Sequence, residues 1–236
     1  MFWTTKTTKA TAATRKRASP HENPESGFWR FVAGARSVSF LEVRVVDHAA
    51  TLHSNRVLDR LRSHRTLATT VAVYFAGFLI LGVATSNPQV PFYAGFMAVT
   101  LGAVVLWDAR AQLSELALWG LALWGALHMA GGMVPIGEGE VLYNLWFIPF
   151  VRFDHVVHAI GFGFAGLAFS DALGRRAPLA LMGGLGFGAL NEMVEFLITR
   201  VVPDTNIGGF ENTGWDLVAN AVGAILAALW VRFRVS

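Results

Sequence analysis

Between Leu179 and Val202 the chain carries Asn191, Glu192 and Glu195 inside an apolar, glycine-rich stretch long enough to cross a bilayer. A carboxylate near the middle of a membrane helix costs about 2.5 to 3.5 kcal/mol on insertion scales. Two of them one helical turn apart require partners, protons or a metal, so the fold has to bring such groups to them.

The surrounding sequence has the composition of a membrane protein: 54% of the 236 residues are apolar and 15% are charged. Apolar runs of spanning length, about 17 to 25 residues, fall at Leu67 to Thr85, Phe92 to Trp107, Leu116 to Val134, Val156 to Leu173, Leu179 to Thr199 and Leu217 to Val231. A membrane barrel needs alternating segments of about ten residues, whereas these runs are apolar on every side. The expected fold is therefore an all-α polytopic bundle of about six transmembrane helices, the second and last being the shortest. With no Cys in the chain, disulfides and thiolate ligands are out of consideration.

Charge orients the bundle. Twelve of the 19 Lys and Arg precede the first span, which places the N-terminus in the cytoplasm. Alternation then puts Arg110, Arg175, Arg176, Arg232 and Arg234 inside and only Arg152 and Arg200 outside, so six spans leave the C-terminus cytoplasmic too. Residues 1–37 have no apolar period and read as a disordered basic tail that lacks the apolar core of a secretory signal. Beside six spans, the cluster Arg15, Lys16 and Arg17 is matched to anionic inner-leaflet lipid rather than nucleic acid. Residues 38–66 mix Leu and Val with Arg and Asp, the composition of an amphipathic helix in the headgroup plane, and residues 67–236 form the transmembrane domain.

Gly161, Gly163 and Gly166 spell the dinucleotide-binding G-x-G-x-x-G. That motif has meaning only after a strand and at the start of a helix. Inside an apolar span, small residues instead allow close helix packing, so no nucleotide cofactor is expected.

Polar groups recur in four of the runs: His128 in the third, Asp154, His155 and His158 in the fourth, Asn191, Glu192 and Glu195 in the fifth, Asp216 and Asn220 in the sixth. At about 1.5 Å per residue, Glu192 and Glu195 lie roughly 20 to 24 Å up from the inner start of their helix. His158 and Asn220 lie about 6 Å below Asp154 and Asp216 on the same faces. Counted separately, all reach one level in the outer third of the bilayer. Simpler roles exist: Asp154 and Asp216 as helix N-caps, Asn220 as interhelical glue, His128 as a satisfied core histidine and His155 as a rim residue. The burial of Glu192 and Glu195 has no such account.

Taken in order, His128-x-x-Gly131-Gly132, Asp154-x-x-x-His158, Asn191-Glu192-x-x-Glu195 and Asn212-Thr213-x-x-Asp216-x-x-x-Asn220-x-x-Gly223-Ala224 resemble the YjdF-type bacterial inner-membrane proteins. The series is more distantly similar to the VanZ-like family linked to glycopeptide-antibiotic resistance. Asn212 stands where YjdF-type proteins usually have Asp, and Glu195 where VanZ-like ones have Gln. The resemblance covers roughly His128 to Trp230 and implies a bacterial cell-envelope role without naming a reaction.

Two classes of function follow. Asp154, His158, Glu192, Glu195 and Asp216 offer a divalent metal such as Zn, Mn or Fe a sulfur-free ligand set. Asn191, Thr213 and Asn220 would support it, and His128 or Glu195 would act as general base toward a lipid or lipid-linked envelope precursor. The alternatives are a proton- or ion-coupled carrier and a non-catalytic binding or structural module. Against a carrier, Leu179 to Leu190 and Ala221 to Val231 hold no ionisable group.

Overall fold

A computed structural model describes residues 55–137, 139–201 and 207–234. The basic tail, the first part of the interfacial segment, Glu138 and Asp204 lie outside the described residues. A short helix α1 (55–63) leads into six long ones: α2 Arg65–Ala84, α3 Val90–Ala111, α4 Glu115–Met133, α5 Phe153–Ala172, α6 Ala177–Val201 and α7 Phe210–Arg234. Each coincides with one apolar run, and the architecture is an all-α membrane bundle. Five are long and apolar enough to cross a membrane; α5, with Asp154, His155, His158 and Asp171, is not among them. The sequence reading counts α5 as a span. It is the polar helix of the set, and it packs against α4, α6 and α7 rather than standing at the edge. The second and last helices are not the shortest, because α3 and α7 run on through Asp108 and Arg110 and from Glu211 through Asp216. These polar turns extend a helix beyond what apolarity alone marks.

Local chemistry sets the ends. Pro91 and Pro178 occupy the first turns of α3 and α6, where a missing N–H costs nothing. Gln112 closes α3 in the left-handed conformation (φ 52°), and the Ser114 hydroxyl then caps α4 by accepting from the Ala117 amide. The connection from α4 to α5 holds the only strands among the described residues, an antiparallel pair of Trp146–Ile148 (β1) and Val151–Arg152 (β2), turning at Phe150 with φ 80°.

Burial is inverted relative to a water-soluble protein. Val73, Ile80, Val99, Phe196 and Leu226 point outward, while Asp216, Asn220, Glu192 and His158 are buried. Hydrocarbon around the bundle satisfies both halves of that pattern. Small residues close the α5, α6 and α7 group. A Cβ on Gly223 of α7 would meet the Ala159 carbonyl oxygen of α5 at 1.9 Å, and one on Gly166 would meet the Ala180 carbonyl of α6 at 2.3 Å. The three glycines of the G-x-G-x-x-G series thus lie within α5, where Gly163 and Gly166 face neighbouring backbones and Gly161 faces the Trp124 ring.

At the end of the bundle where α2 starts, Arg60 clasps Asp108 through two hydrogen bonds of 2.8 and 2.7 Å and reaches the Leu113 carbonyl at 3.2 Å. The Asp108 carboxylate also accepts from the Leu113 amide at 3.0 Å, so one buried acid ties α1 to the turn between α3 and α4. Arg60→Ala leaves that acid without its cation and is expected to cost about 1 to 3 kcal/mol. Denaturant unfolding of the purified protein checks this, with Asp108→Asn in the same chain recovering part of the loss.

Candidate functional site

Three helices build the polar centre. His158 comes from the second turn of α5, Glu192 and Glu195 from successive turns of α6, and Asp216 and Asn220 from one face of α7. His158, Glu192, Glu195 and Asp216 each present one ligand atom within 4.8 Å of all the others. His158 Nδ1 lies 3.3 Å from Glu192 Oε1 and 3.1 Å from Asn220 Oδ1. Asn220 Nδ2 reaches Glu192 Oε1 at 3.4 Å, and Asn191 Nδ2 donates to Glu195 Oε1 at 2.7 Å. Asn212 donates to Asp216 Oδ2 from one turn earlier in α7. Glu192 and Asp216 are 5% and 0% exposed, yet Glu192 Oε2 and Asp216 Oδ1 have no hydrogen-bond partner. Two buried, unsatisfied carboxylate oxygens in one cluster are costly as they stand and are the atoms a cation would engage.

Asp154, expected as a ligand, does not join these four. Its Oδ1 lies 3.5 Å from His158 Nε2, on the far side of the ring, and Oδ2 accepts from Arg152 at 2.8 Å. It contacts the imidazole at the nitrogen opposite the one that faces Glu192 and Asn220. The cap reading fails for Asp216, which is the seventh residue of α7 rather than a flanking one. His155 accepts from the Arg152 amide at 3.2 Å and so stabilises the start of α5, with Nε2 3.9 Å from Asp216. Thr213 is half-buried one turn before Asp216, and its amide donates to the Gly209 carbonyl.

His128 stands apart from the four and faces the same cavity, of about 380 Å³, which Asp154, His158, Asn191 and Glu195 also line. Its Nδ1 is 2.6 Å from the Tyr143 hydroxyl, while its buried Nε2 has no partner. Rings of Phe96, Tyr93, Trp124 and Tyr143 surround it at centroid distances of 5.0 to 5.9 Å. Burial pushes the Tyr143 phenol well above its ordinary value, helped by Tyr93 and Asp154, so it stays protonated and can donate to His128. Gly131 and Gly132 make room for this arrangement, since a Cβ on either would strike the ring of Tyr143 or Tyr93 at 2.6 or 2.0 Å. The aromatic cage and Tyr143 escape a sequence reading. Their only trace is the glycine pair after His128, and aromatics on apolar helices otherwise read as ordinary core.

Fold and site together define a multi-pass helical membrane protein with an acid–imidazole–amide cluster held between three helices. The chain belongs to a family described as predicted membrane protein (DUF2238), whose model matches residues 66–236. No curated protein and no solved structure matches it.

Proposed function

We propose that His158, Glu192, Glu195 and Asp216 hold a divalent metal ion, and that the protein is a metal-dependent hydrolase or transferase acting on a lipid or cell-envelope precursor. The observation that carries this reading is the pair of orphaned oxygens, Glu192 Oε2 and Asp216 Oδ1, inside a four-residue group whose ligand atoms lie within 4.8 Å of one another. One nitrogen and three carboxylates suit Zn, Mn or Fe. A bound ion would neutralise the acids and supply Lewis-acid chemistry to water or substrate. The chain's own residues do the rest. Asp154 fixes the His158 ring, Asn220 and Asn191 hold the two glutamates, and Thr213 lies half-buried one turn before Asp216. His128, which lines the cavity with Nδ1 tied to Tyr143 and Nε2 without a partner, is placed to take or give a proton there.

The charge pattern supports a membrane in which the arginine-rich helix ends face the cytoplasm, with the site near the outer surface. The motif series resembling YjdF-type and VanZ-like proteins supports a bacterial inner membrane and an envelope substrate. The basic tail is assigned to anionic lipid on charge alone.

Elemental analysis of the protein purified without a metal-affinity tag tests the proposal. About one divalent ion per chain is expected in the parent, and background in Glu192→Ala and His158→Ala. A metal-free parent with unchanged stability would end this reading. Flux into liposomes that depends on Glu192 would favour the carrier, and a Glu192→Gln variant with intact phenotype would favour a structural cluster.

A further inference from the structure

The cavity beside the cluster has a mouth of unexpected chemistry. α3 packs chiefly on α2 and α4, and α6 on α5 and α7. The two come together at Trp107 and Phe187, whose ring centroids are 5.9 Å apart. Elsewhere along this seam the cavity lies between them. Its exposed edges are Pro91 and Phe92 on α3 and Val194 on α6, the latter two each 41% exposed, with Ile198 half-buried beside them. The same cavity is lined by the partly buried Phe96, Phe162, Asn191 and Glu195 and by the buried His158. Gln89 and Asn212 line the cavity near the helix ends, and the exposed side chains between α3 and α6 are apolar. In a helix bundle set in lipid, such an opening faces hydrocarbon.

We infer that the site is loaded sideways from the bilayer: an amphiphile enters between α3 and α6, lays hydrocarbon against Phe92, Phe96, Val194 and Ile198, and presents its headgroup to His158 and Glu195. This rests on the proposed reading of the cluster as a chemical site and adds the route and physical state of the substrate. The occupant follows from the make-up of the wall, whose exposed side chains Pro91, Phe92 and Val194 are apolar while the ionisable His158 is buried, which matches a lipid lying tail outward. A volume of about 380 Å³ suits a headgroup with its first methylenes, being within the roughly 300 to 1,000 Å³ usual for ligand pockets.

The test is photolabelling of the full-length protein in bilayers containing phosphatidylglycerol with a diazirine on the acyl chain close to the glycerol. Adducts are expected on the buried α5 residue Val157, a position the bulk bilayer does not touch, as well as on outward residues such as Ile80. Val194→Trp, which fills the rim, should lower the α5 adducts by about tenfold or more. Ile80→Trp should leave them unchanged. Adducts confined to outward faces, or α5 adducts that ignore Val194→Trp, would overturn the inference. Labelling does not depend on the ion: Glu192→Gln should lose metal and keep its α5 adducts. Loss of the portal and loss of the metal site therefore give different results.

Discussion

Gly223→Val is expected to abolish the folded bundle. The added Cβ would lie 1.9 Å from the Ala159 carbonyl oxygen and 2.9 Å from the Gly163 amide nitrogen, both backbone atoms of α5. No rotamer change relieves a collision between one helix's Cβ and another's main chain, so α5 and α7 must separate. Overpacking inside a well-fitted core ordinarily costs about 1 to 3 kcal/mol, occasionally more, and here separation also disrupts the neighbouring Asn220 and His158 contact. Size-exclusion profiles in detergent should show aggregate in place of the parent's peak. Gly77→Ala and Gly102→Ala are the matched controls, because nothing lies within 4 Å of either added Cβ. These should keep the parent profile and gain up to about 1 kcal/mol of helix propensity. A well-behaved Gly223→Val variant would mean that α5 and α7 do not approach as closely as described.

The second large effect has opposite signs in two conditions. Asp216 is fully buried beside Glu192 and Glu195, and without a cation the three acids oppose one another in a medium that screens poorly. Asp216→Asn should therefore stabilise the protein in chelator, by about 1 to 3 kcal/mol. With metal present the order reverses. An ion held by the parent at a hundred times its dissociation constant adds about 2.7 kcal/mol, and the variant, short of a ligand, should gain little. Unfolding followed with and without chelator checks both halves. A variant weaker than the parent in chelator, with an undiminished response to metal, would assign Asp216 a purely structural role.

Sequence and structure agree most where apolarity does the positioning. The six runs locate the six long helices, since spanning length and hydrophobicity are properties of each segment alone. Helix ends are less legible: α7 begins at Phe210, before the run at Leu217, because Asn212 and Asp216 point inward and cost α7 nothing in apolar face. α5 shows the limit from the other side, a polar helix sheltered by three neighbours. At the site, depth counting anticipates that His158, Glu192, Glu195 and Asp216 meet, since 1.5 Å per residue fixes height once a topology is chosen. It does not separate Asp154 from that group, because Asp154 and His158, four residues apart on one face, look equivalent until the ring's two nitrogens are placed. Tyr143 was invisible for another reason. It sits in a short 3-10 turn of the connection between α4 and α5, and only the tertiary fold brings it to His128.

The most direct test is X-ray absorption at the metal edge of the loaded, tag-free protein. A first shell of nitrogen and oxygen alone, with no sulfur and scattering from one imidazole, lost in His158→Ala, is the predicted spectrum. A shell with several imidazoles, or one indifferent to His158, would contradict the four-residue centre.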